Sequence, residues 1–463
     1  MITARSRRRL ARTGCVLVAA LAVGAVMPAA EARPPKGDTA RVSEGPKGEQ
    51  LDGDSYALGL SADGRSALFS STATDLLPGS TPTGGDVYVR DLRNGHVERV
   101  SVADDGSRLN AATTDASISA DGRYVAFSTT ATDVLPGRPK HRSDVYVRDR
   151  WTGRTELVSA GTLGTTDDET IRGADSPTLS RDGRYVAFAS DRTDLAAGVH
   201  RGKQNVFVTD RWTHTTRLIS VGPDGQGGDN NSFRPTISAD GATVGFTSRA
   251  GNLLPPPAGT AAAAPAAASA SASAELAGPR FYPYYVWKAG TGTVTAASLD
   301  ATGAPTGAGG DARISPDGRF ALYALPVDGV GRPGTHGIRM DLYVRELATG
   351  RTTLVNTPLP GTTTTEGAYD PAMTADDRWV YFDSSADDLV PGDTNGQSDV
   401  FRRDLRTGRI ERVTATRDGA QSTGSSESPY VDATGDTVVF TAEDADLVPG
   451  DTNTHLDVFL RRL

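Results

Sequence analysis

The stretch SADGRYVAFST, residues 119–129, contains the pattern that decides the fold of this chain. Its Asp-Gly pair favours a tight turn, because Gly permits positive φ and an Asp side chain hydrogen-bonds nearby backbone N–H groups. The segment Tyr124-Val125-Ala126-Phe127 that follows is rich in β-branched and aromatic residues, which favours a strand. The stretch therefore predicts a tight turn leading into a buried strand.

Six further copies of this element occur along the chain, beginning at residues 61, 180, 238, 315, 374 and 432. The equivalent turn position is Asp63, Asp121, Asp182, Asp240, Asp317, Asp376 and Thr434. Successive copies lie 58, 61, 58, 77, 59 and 58 residues apart. A steady period over so many copies indicates a repeat architecture, and we number the repeat units 1 to 7.

Each unit predicts four antiparallel strands and no helix. In unit 2, Tyr124-Val125-Ala126-Phe127 is followed by a third strand at 144–148, a turn at Thr152-Gly153 and a fourth strand at 156–159. Four-stranded units that bury their faces against neighbours are the blades of a propeller. The sequence therefore predicts an all-β fold, a seven-bladed β-propeller of four-stranded antiparallel blades.

The segments at the two ends of the chain together supply the four strands of one repeat unit. The last unit ends at a third strand, residues 457–460, while residues 40–43 match the fourth strand at 98–101. We therefore expect the N-terminal strand to complete blade 7 and close the ring, so that no sheet edge is left open there. Truncation before residue 44 is expected to destabilise the whole disc.

The recurring motifs SADGRYVAF, DVYVRD and TGRTELVS resemble the TolB-type, WD-repeat-like β-propeller repeats of exported bacterial proteins. The resemblance covers nearly all of the chain after its first 32 residues. It implies the propeller fold. It does not select a function, because this fold hosts scaffolds, binding proteins, lyases and peptidase-associated domains.

The first 32 residues predict a signal peptide. A basic stretch with five Arg precedes the apolar run 14–27, and Ala30-Glu31-Ala32 fits a cleavage site. Residues 33–463 would then form the propeller of a secreted or extracytoplasmic protein, and the Ser6–Leu10 stretch is compatible with a twin-arginine route. No other apolar run is long enough to predict a membrane span.

Composition excludes several classes of function. Cys15 is the only cysteine and lies before the apolar run, so the mature chain has no thiol for disulfides, catalysis or metal ligation. The mature chain carries 43 basic against 56 acidic residues, a formal charge of about −13, which argues against a nucleic-acid partner.

An Ala/Pro/Ser-rich insert at 255–279 accounts for the long interval in blade 4 and predicts a flexible surface loop. The aromatic strand at 281–287 follows it. Alternation predicts that Tyr285 and Trp287 face one side of this strand while Tyr284 and Val286 face the other, in the core.

The loops between second and third strands should emerge on the same face as the connections between units, opposite the short turns. The loops at 388–399 (DLVPGDTNGQSD) and 446–457 (DLVPGDTNTHLD) are nearly identical. Clustered oxygens suit a hard cation such as calcium, although the spacing is not that of an EF-hand. Turn formation by Asp and Asn is the favoured interpretation, and a metal site is the alternative. Its ligands would be Asp393, Asn395, Asp399, Asp451, Asn453 and Asp457.

Four histidines fall in such loops: His141, His200, His336 and His455. Convergence of these side chains would suit a transition metal, whereas solvated loop positions are the favoured interpretation.

We therefore expect an exported, monomeric binding or scaffold protein without a cofactor, which engages a protein, peptide or glycan partner through its loop-rich face. The alternative is a propeller enzyme, such as a polysaccharide lyase or glycosidase, that acts at the central channel. Neither a GxSxG motif nor an appended domain supports a serine hydrolase.

Overall fold

The structure of the protein, a computed structural model, describes ten stretches of the chain. They are residues 35–77, 84–113, 115–135, 142–161, 173–256, 281–327, 339–363, 366–416, 419–443 and 446–463. Within these stretches there are strands, turns and bends but no helix, which confirms the all-β prediction. The predicted signal peptide at 1–32 lies outside the described residues, and so does the insert at 255–279 apart from Pro255 and Pro256.

The described residues form 28 strands. A short strand, β1 (Thr39–Arg41), precedes unit 1. Units 1 to 3 contain β2 (Ser55–Leu60), β3 (Ser66–Ser71), β4 (Asp86–Asp91), β5 (Val97–Arg99), β6 (Asp115–Ile118), β7 (Tyr124–Thr129), β8 (Asp144–Asp149), β9 (Arg154–Leu157), β10 (Ala174–Leu179), β11 (Tyr185–Ser190), β12 (Asn205–Asp210) and β13 (Thr215–Leu218). Units 4 to 7 contain β14 (Ser232–Ile237), β15 (Thr243–Ser248), β16 (Tyr282–Lys288), β17 (Thr293–Ala296), β18 (Gly307–Ile314), β19 (Phe320–Pro326), β20 (Met340–Glu346), β21 (Thr352–Leu354), β22 (Ala368–Met373), β23 (Trp379–Ser384), β24 (Asp399–Asp404), β25 (Ile410–Arg412), β26 (Ser426–Val431), β27 (Thr437–Ala442) and β28 (Asp457–Arg462).

These strands pair in sequence order into four-stranded antiparallel sheets. Units 1, 2, 3 and 6 each form one such sheet, and units 4 and 5 are joined by a short pairing of β16 with β18. No helix of the described residues has the length and apolar character needed to cross a bilayer.

The Asp-Gly turns form for the reason that the sequence indicates. In unit 2, Ser119 Oγ donates to Asp121 Oδ1 at 2.7 Å, and the same carboxylate accepts from the backbone N of Arg123 at 3.0 Å. Gly122 has a φ of 71°, which L residues rarely adopt. These contacts fix the register between first and second strands.

The core lies within and between the sheets. In each unit a ring from the second strand packs against a ring from the third; the centroids of Phe127 and Tyr146, for example, are 5.7 Å apart. The equivalent pairs are Phe69–Tyr88, Phe188–Phe207, Phe246–Tyr285, Tyr323–Tyr343, Phe382–Phe401 and Phe440–Phe459. Neighbouring sheets share clusters: Val145 of β8 packs with Val186 of β11. Burial of such faces is the main term that stabilises repeat architectures.

The aromatic strand β16 is part of this core. Tyr285 and Trp287 pack in one cluster with unit 3 residues, and Tyr284 and Val286 pack in another with unit 5 residues. The predicted alternation of these side chains is confirmed.

Strand β1 pairs with β28, in one sheet with β27 and β26. Thr39 is opposite Arg461 and Arg41 is opposite Phe459. The N-terminal residues that matched a fourth strand in sequence therefore occupy the fourth position of the sheet of unit 7. The strand spans residues 39–41, and Val42 continues the contact through a backbone bond to the carbonyl of Val458.

Backbone hydrogen bonds also link the first-to-second-strand turns of successive units. Each N–H donates to the carbonyl of the equivalent residue in the next unit: Ala62 to Ala120, Ala120 to Arg181, Arg181 to Ala239, Ala239 to Pro316, Ala375 to Ala433, and Ala433 to Ala62, at 2.7–3.0 Å. Pro316 has no N–H, so the bond from unit 5 to unit 6 cannot form.

Candidate functional site: the connector face and the channel mouth

Antiparallel pairing places the loops of each unit on two faces. The connector face carries the second-to-third-strand loops and the connections between units, and the turn face carries the two short turns of each unit. The first strands of successive units contact one another, and β26 contacts β2. These inner strands converge on a common space, which we call the channel.

An apolar collar narrows this channel near the turn face. It consists of one side chain from the end of each inner strand: Leu60, Ile118, Leu179, Ile237, Ile314, Met373 and Val431. The collar surrounds a cavity of about 230 Å³. On the turn side of the collar, Asp63, Asp121, Arg181, Asp182 and Asp240 line a second, polar space. The polar groups described next lie on the connector side.

Most inner strands are irregular at the same point. Six of the seven strand pairs formed by first and second strands show a register shift there, and β6–β7 is the exception. In four of them a residue other than Gly has positive φ: Ser176 at 53°, Arg234 at 51°, Asp370 at 49° and Ser428 at 55°. Each precedes a buried Pro.

Left-handed backbone at such residues costs on the order of 1 kcal/mol each, and bulges of this kind redirect side chains. The Pro that follows removes a ladder donor, which suits a bulge. The polar residues in this conformation, Ser176, Arg234, Asp370 and Ser428, define what we call the channel mouth. Their repetition is the arrangement expected of a binding or catalytic site.

Two acidic side chains of unit 6, Asp370 and Asp383, contact Ser428 of unit 7 at this level. Ser428 Oγ donates to Asp370 Oδ2 at 2.9 Å, and the Ser428 backbone N contacts Asp383 Oδ1 at 3.4 Å. Burial, and after it the negative charge of Asp370, raises the pKa of Asp383 well above its usual value. Glu427 is exposed beside them. Burial thus favours the protonated form of Asp383 in this part of the mouth.

A second buried acid lies between units 2 and 3. Asp115 Oδ2 accepts from the backbone N of Ser176 at 2.8 Å and from Ser128 Oγ at 3.3 Å. Burial raises the pKa of Asp115, and the charge of Asp175 adds to this effect.

Arginine and hydroxyl groups complete the mouth. Arg234 is exposed, and the guanidinium of Arg313 lies 4.8 Å from the ring centre of Tyr430. The hydroxyl of Tyr284 is 2.7 Å from Thr236 Oγ1, but Tyr284 is fully buried and does not belong to the exposed surface. With both charge signs and the hydroxyl of Ser428, this surface suits a polar ligand rather than an apolar one.

The residues of unit 6 that the sequence predicts as cation ligands lie close together in the structure. Their polar side chains contact other groups of the protein. Asp393 Oδ1 accepts from Gln421 Nε2 at 2.6 Å and lies 3.7 Å from Arg412 Nη1. Asn395 Nδ2 donates to the carbonyl of Ser422 at 3.0 Å. Asp399 is fully buried and accepts from Thr414 Oγ1. The pKa of Asp393 is raised to about 6 by burial, with a contribution from the charge of Asp399.

The loop of unit 7 repeats this arrangement. Arg41 Nη2 is 2.8 Å from Asp451 Oδ2, and Arg41 Nε is 3.2 Å from Asp457 Oδ2. Gln50 Nε2 donates to Asp451 Oδ1 at 2.6 Å, and Asn453 Nδ2 donates to the carbonyl of Leu51 at 3.1 Å. Burial raises the pKa of Asp457 to about 6 although Ser43 Oγ donates to it at 2.5 Å.

In both loops an arginine supplies the positive charge, and a glutamine and an asparagine bind the loop to the connection with the next unit. Within the described residues, no three His, Cys, Asp or Glu side chains form a group that could hold a metal ion. This geometry favours the structural interpretation of the two loops. Calcium binding by Asp393, Asn395, Asp399, Asp451, Asn453 and Asp457 stays a prediction.

The four loop histidines are only partly described. His141 and His336 lie outside the described residues. His455 Nδ1 is 2.9 Å from Asp54 Oδ1, and the backbone carbonyl of His200 accepts from Lys203 at 3.3 Å.

The sequence predicted a binding surface on the loop-rich face and an alternative site at the central channel, but it did not single out the residues of the channel mouth. A usable signal was present, because Ser176, Arg234, Asp370 and Ser428 each precede Pro and each lie six residues before the equivalent turn position of their unit. A recurring polar-Pro dipeptide inside a predicted strand indicates a bulge, since Pro cannot donate to a sheet ladder. The arginines that neutralise the two loops were missed as well.

No family model matches the chain, and no curated protein matches it. Solved structures do. An oligogalacturonate lyase from Vibrio parahaemolyticus matches with a TM-score of 0.51 at 12% identity, over 91% of this chain and 92% of the lyase.

Two further matches are the β-propeller domain of the Trilobed protease from Pyrococcus furiosus and TolB from Acinetobacter baumannii. The first has a TM-score of 0.48 at 14% identity and covers 88% of this chain and 95% of that domain. The second has a TM-score of 0.37 at 14% identity and covers 85% of this chain and 76% of TolB.

The structures that the chain resembles thus include TolB proteins and other β-propeller proteins, as the repeated motif predicts. At these identities the similarity concerns the fold, and the activities of the matched proteins do not transfer with it.

Proposed function

We propose that the protein is an exported seven-bladed β-propeller that binds a protein, peptide or glycan partner through its connector face, without catalysis. The channel mouth forms the centre of this binding surface. The disc acts as a monomer, and its rigid ring holds the mouth in place.

Three observations support seven blades and a closed ring. Seven repeat units each supply three or four strands to a sheet, and β1 supplies the missing strand to unit 7. β26 and β27 of unit 7 contact β2 of unit 1. The N–H of Ala433 donates to the carbonyl of Ala62, which links the last unit to the first.

The repeated left-handed backbone at the channel mouth carries the binding proposal. Ser176, Arg234, Asp370 and Ser428 keep a costly conformation in four units, although the sheets of units 1 and 2 do without it. A fold requirement would apply to every unit, whereas a ligand requires polar groups at particular points.

Capture of partners from the extracellular fraction of the source culture tests this proposal. We expect the mature protein on a resin to retain a partner, and Arg234→Glu and Glu427→Lys to reduce its recovery at least about tenfold, because both side chains are exposed and charge reversal opposes the original contact. Arg65→Glu is the matched control, since its side chain is 55% exposed and lies on the turn face. Equal recovery with all variants would refute the connector face as the binding surface.

The export part of the proposal rests on residues 1–32 and has its own test. Expression of the full chain in a bacterial host should release a protein whose N-terminal residue is Arg33, measured by mass spectrometry. An uncleaved chain retained in the cytoplasm would contradict it.

A propeller enzyme is the second candidate, favoured by the carboxyl pair Asp370 and Asp383. Glycosidases pair two carboxyl groups as acid and base or nucleophile, and burial raises the pKa of Asp383 as such an acid requires. Incubation with pectin, polygalacturonate and other polysaccharides, followed by reducing-end and unsaturated-product assays, tests it. Product release that Asp383→Asn lowers at least about a hundredfold would replace the non-enzymatic proposal with this one.

A further inference from the structure

Two tryptophans stand out on the turn face. Trp151 is 69% exposed and Trp212 is 65% exposed, and Tyr56 is the remaining exposed large hydrophobic side chain among the described residues. Trp151 lies in the β8–β9 turn of unit 2, and Trp212 lies in the β12–β13 turn of unit 3. They therefore occupy equivalent positions in neighbouring units, on the face opposite the channel mouth.

The fold does not require tryptophan at this position. The equivalent residues of units 1, 4, 5 and 6 are Arg93, Gly290, Ala348 and Arg406. These turns close in the same way with small or charged side chains. The two indoles are thus additions to the surface of units 2 and 3, and no core contact accounts for their exposed area.

Each indole is held against a fixed guanidinium. Arg123 lies 4.7 Å from the ring centre of Trp151 and the same distance from that of Tyr124. Two bonds, of 3.0 and 2.6 Å, fix this guanidinium to Asp149. The arrangement orders the indole before any ligand binds, which lowers the entropic cost of binding.

Unit 3 repeats this construction. Arg184 lies 4.5 Å from the ring centre of Trp212 and 4.8 Å from that of Tyr185, and it bonds to Asp210 at 3.0 and 2.7 Å. Arg211, next to Trp212, stacks at 4.5 Å on Tyr124 of unit 2. The two platforms are therefore connected through the boundary between the units.

The charges of this patch are balanced. Arg123 and Arg184 are paired with Asp149 and Asp210, while Arg150 and Arg211 bond to Glu98 and Glu156. A surface without excess positive charge does not select an anionic polymer or an anionic membrane. Flat, uncharged rings exposed in neighbouring units suit a chain of uncharged sugar rings, whose C–H faces stack on indole.

We propose that Trp151 and Trp212 form a second binding surface, on the turn face, for a neutral polysaccharide chain, with one sugar ring stacked on each indole. This surface is separate from the channel mouth and does not depend on the partner proposed there.

Binding to cellulose and chitin, and titration calorimetry with the β-1,4-linked hexasaccharides of glucose and N-acetylglucosamine, test the proposal. We expect the mature protein to bind at least one of these probes. Trp151→Ala and Trp212→Ala should each weaken binding about tenfold, and the double variant should not bind measurably, because each removes one stacking platform. Trp→Phe variants should stay within about fivefold of the parent, since a ring remains.

Arg406→Ala is the matched control, at the equivalent turn of unit 6, and should leave polysaccharide binding within about twofold. Because both tryptophans are exposed, the variants should unfold at the parent temperature. Failure of the parent to bind any probe would overturn the proposal, as would unchanged binding by the double variant. A dimer that the double variant converts to monomer in sedimentation would identify the patch as a contact with a second copy and would also overturn it.

Discussion

The loops at 388–399 and 446–457 share nine of twelve residues but perform different tasks. Both place two aspartates near an arginine. In unit 6 that arginine is Arg412, on a strand of the same unit, whereas in unit 7 it is Arg41, from the other end of the chain. The same local sequence therefore makes an ordinary contact within one sheet and, in the other case, a bond between the two ends of the polypeptide.

The two arginine–aspartate contacts also differ in length and in burial. The side chain of Arg41 is 6% exposed and lies within 3.2 Å of both aspartates, while that of Arg412 is 16% exposed and 3.7 Å from Asp393. Charges that lose more water interact more strongly and leave a larger penalty when one partner is removed. The contact that joins the chain ends should therefore be the more important one.

Removal of the N-terminal strand should have the largest effect. Deletion of residues 33–44 takes away the β1–β28 pairing, the buried Val42 and the bond from Ser43 to Asp457. We expect the free energy of unfolding to fall by about 5 kcal/mol or more, since several backbone bonds and a buried side chain are lost together. Urea unfolding measures it. Deletion of residues 33–36 alone is the control, and equal stability of the two truncated proteins would contradict a sealing role for β1.

Single arginine substitutions compare the two loops directly. Arg41→Ala should lower the free energy of unfolding by about 3 kcal/mol, because it leaves Asp451 and Asp457 buried without their cation. Arg412→Ala should cost about 1 kcal/mol, because its contact with Asp393 is longer and its side chain is more exposed. Urea titrations of both variants at one pH give the difference. Equal losses of unfolding free energy would show that it does not matter whether the arginine comes from the same unit or from the other end of the chain.

The pH dependence of stability tests the burial of the loop aspartates. Asp393 and Asp457 have folded-state pKa values of about 6, above the ordinary value of 3.8, so the folded protein binds these protons more tightly than the unfolded chain. Their contribution is then fully present below about pH 4 and is lost as the pH rises through about 6, by on the order of 1–3 kcal/mol for each group.

Urea unfolding between about pH 4 and pH 7 measures this loss. Asp457→Asn should make the loss smaller without abolishing it, because the pKa values of Asp115 and Asp383 are raised as well. The paired Asp149, Asp210 and Asp404 have pKa values of about 2, so their contribution is lost only below about pH 4 and does not confuse the comparison. A flat profile in the parent protein would refute the raised pKa values.

Calcium should have the smallest effect. With an arginine beside each aspartate pair, we expect the unfolding temperature to agree within about 1 °C in excess calcium and in chelator. Differential scanning fluorimetry provides the measurement. An increase of several degrees in calcium, lost in Asp393→Asn and Asp451→Asn, would contradict the structural interpretation and establish the cation site.

Much of the architecture could be predicted from the sequence, because its signals are local. The turns at Gly122 and its equivalents need a residue that accepts positive φ, and the strands that follow need β-branched and aromatic residues. The match between residues 40–43 and 98–101 identified β1, because the fourth strand of every unit pairs with the edge of a similar third strand.

The contacts of the candidate site could not be predicted from such local signals. The sequence placed Asp393 and Asp451 in loops that could bind a cation, but the bonds from Gln421 and Gln50 depend on the approach of a neighbouring unit. The bulge at Asp370 brings it toward Asp383 and Ser428 only in the folded sheets. Neither arrangement follows from spacing along the chain.

The sequence by itself determined the repeat, the strand order and the turns, because those features depend on φ preferences and alternation over a few neighbouring residues. Only the tertiary structure decided which charge neutralises each loop and which polar groups meet at the channel mouth. Arg41 and Asp457 are more than 400 residues apart in the chain and 3.2 Å apart in space. Electrostatic energy depends on the distance in space, whereas local sequence preferences act between residues that are near one another along the chain.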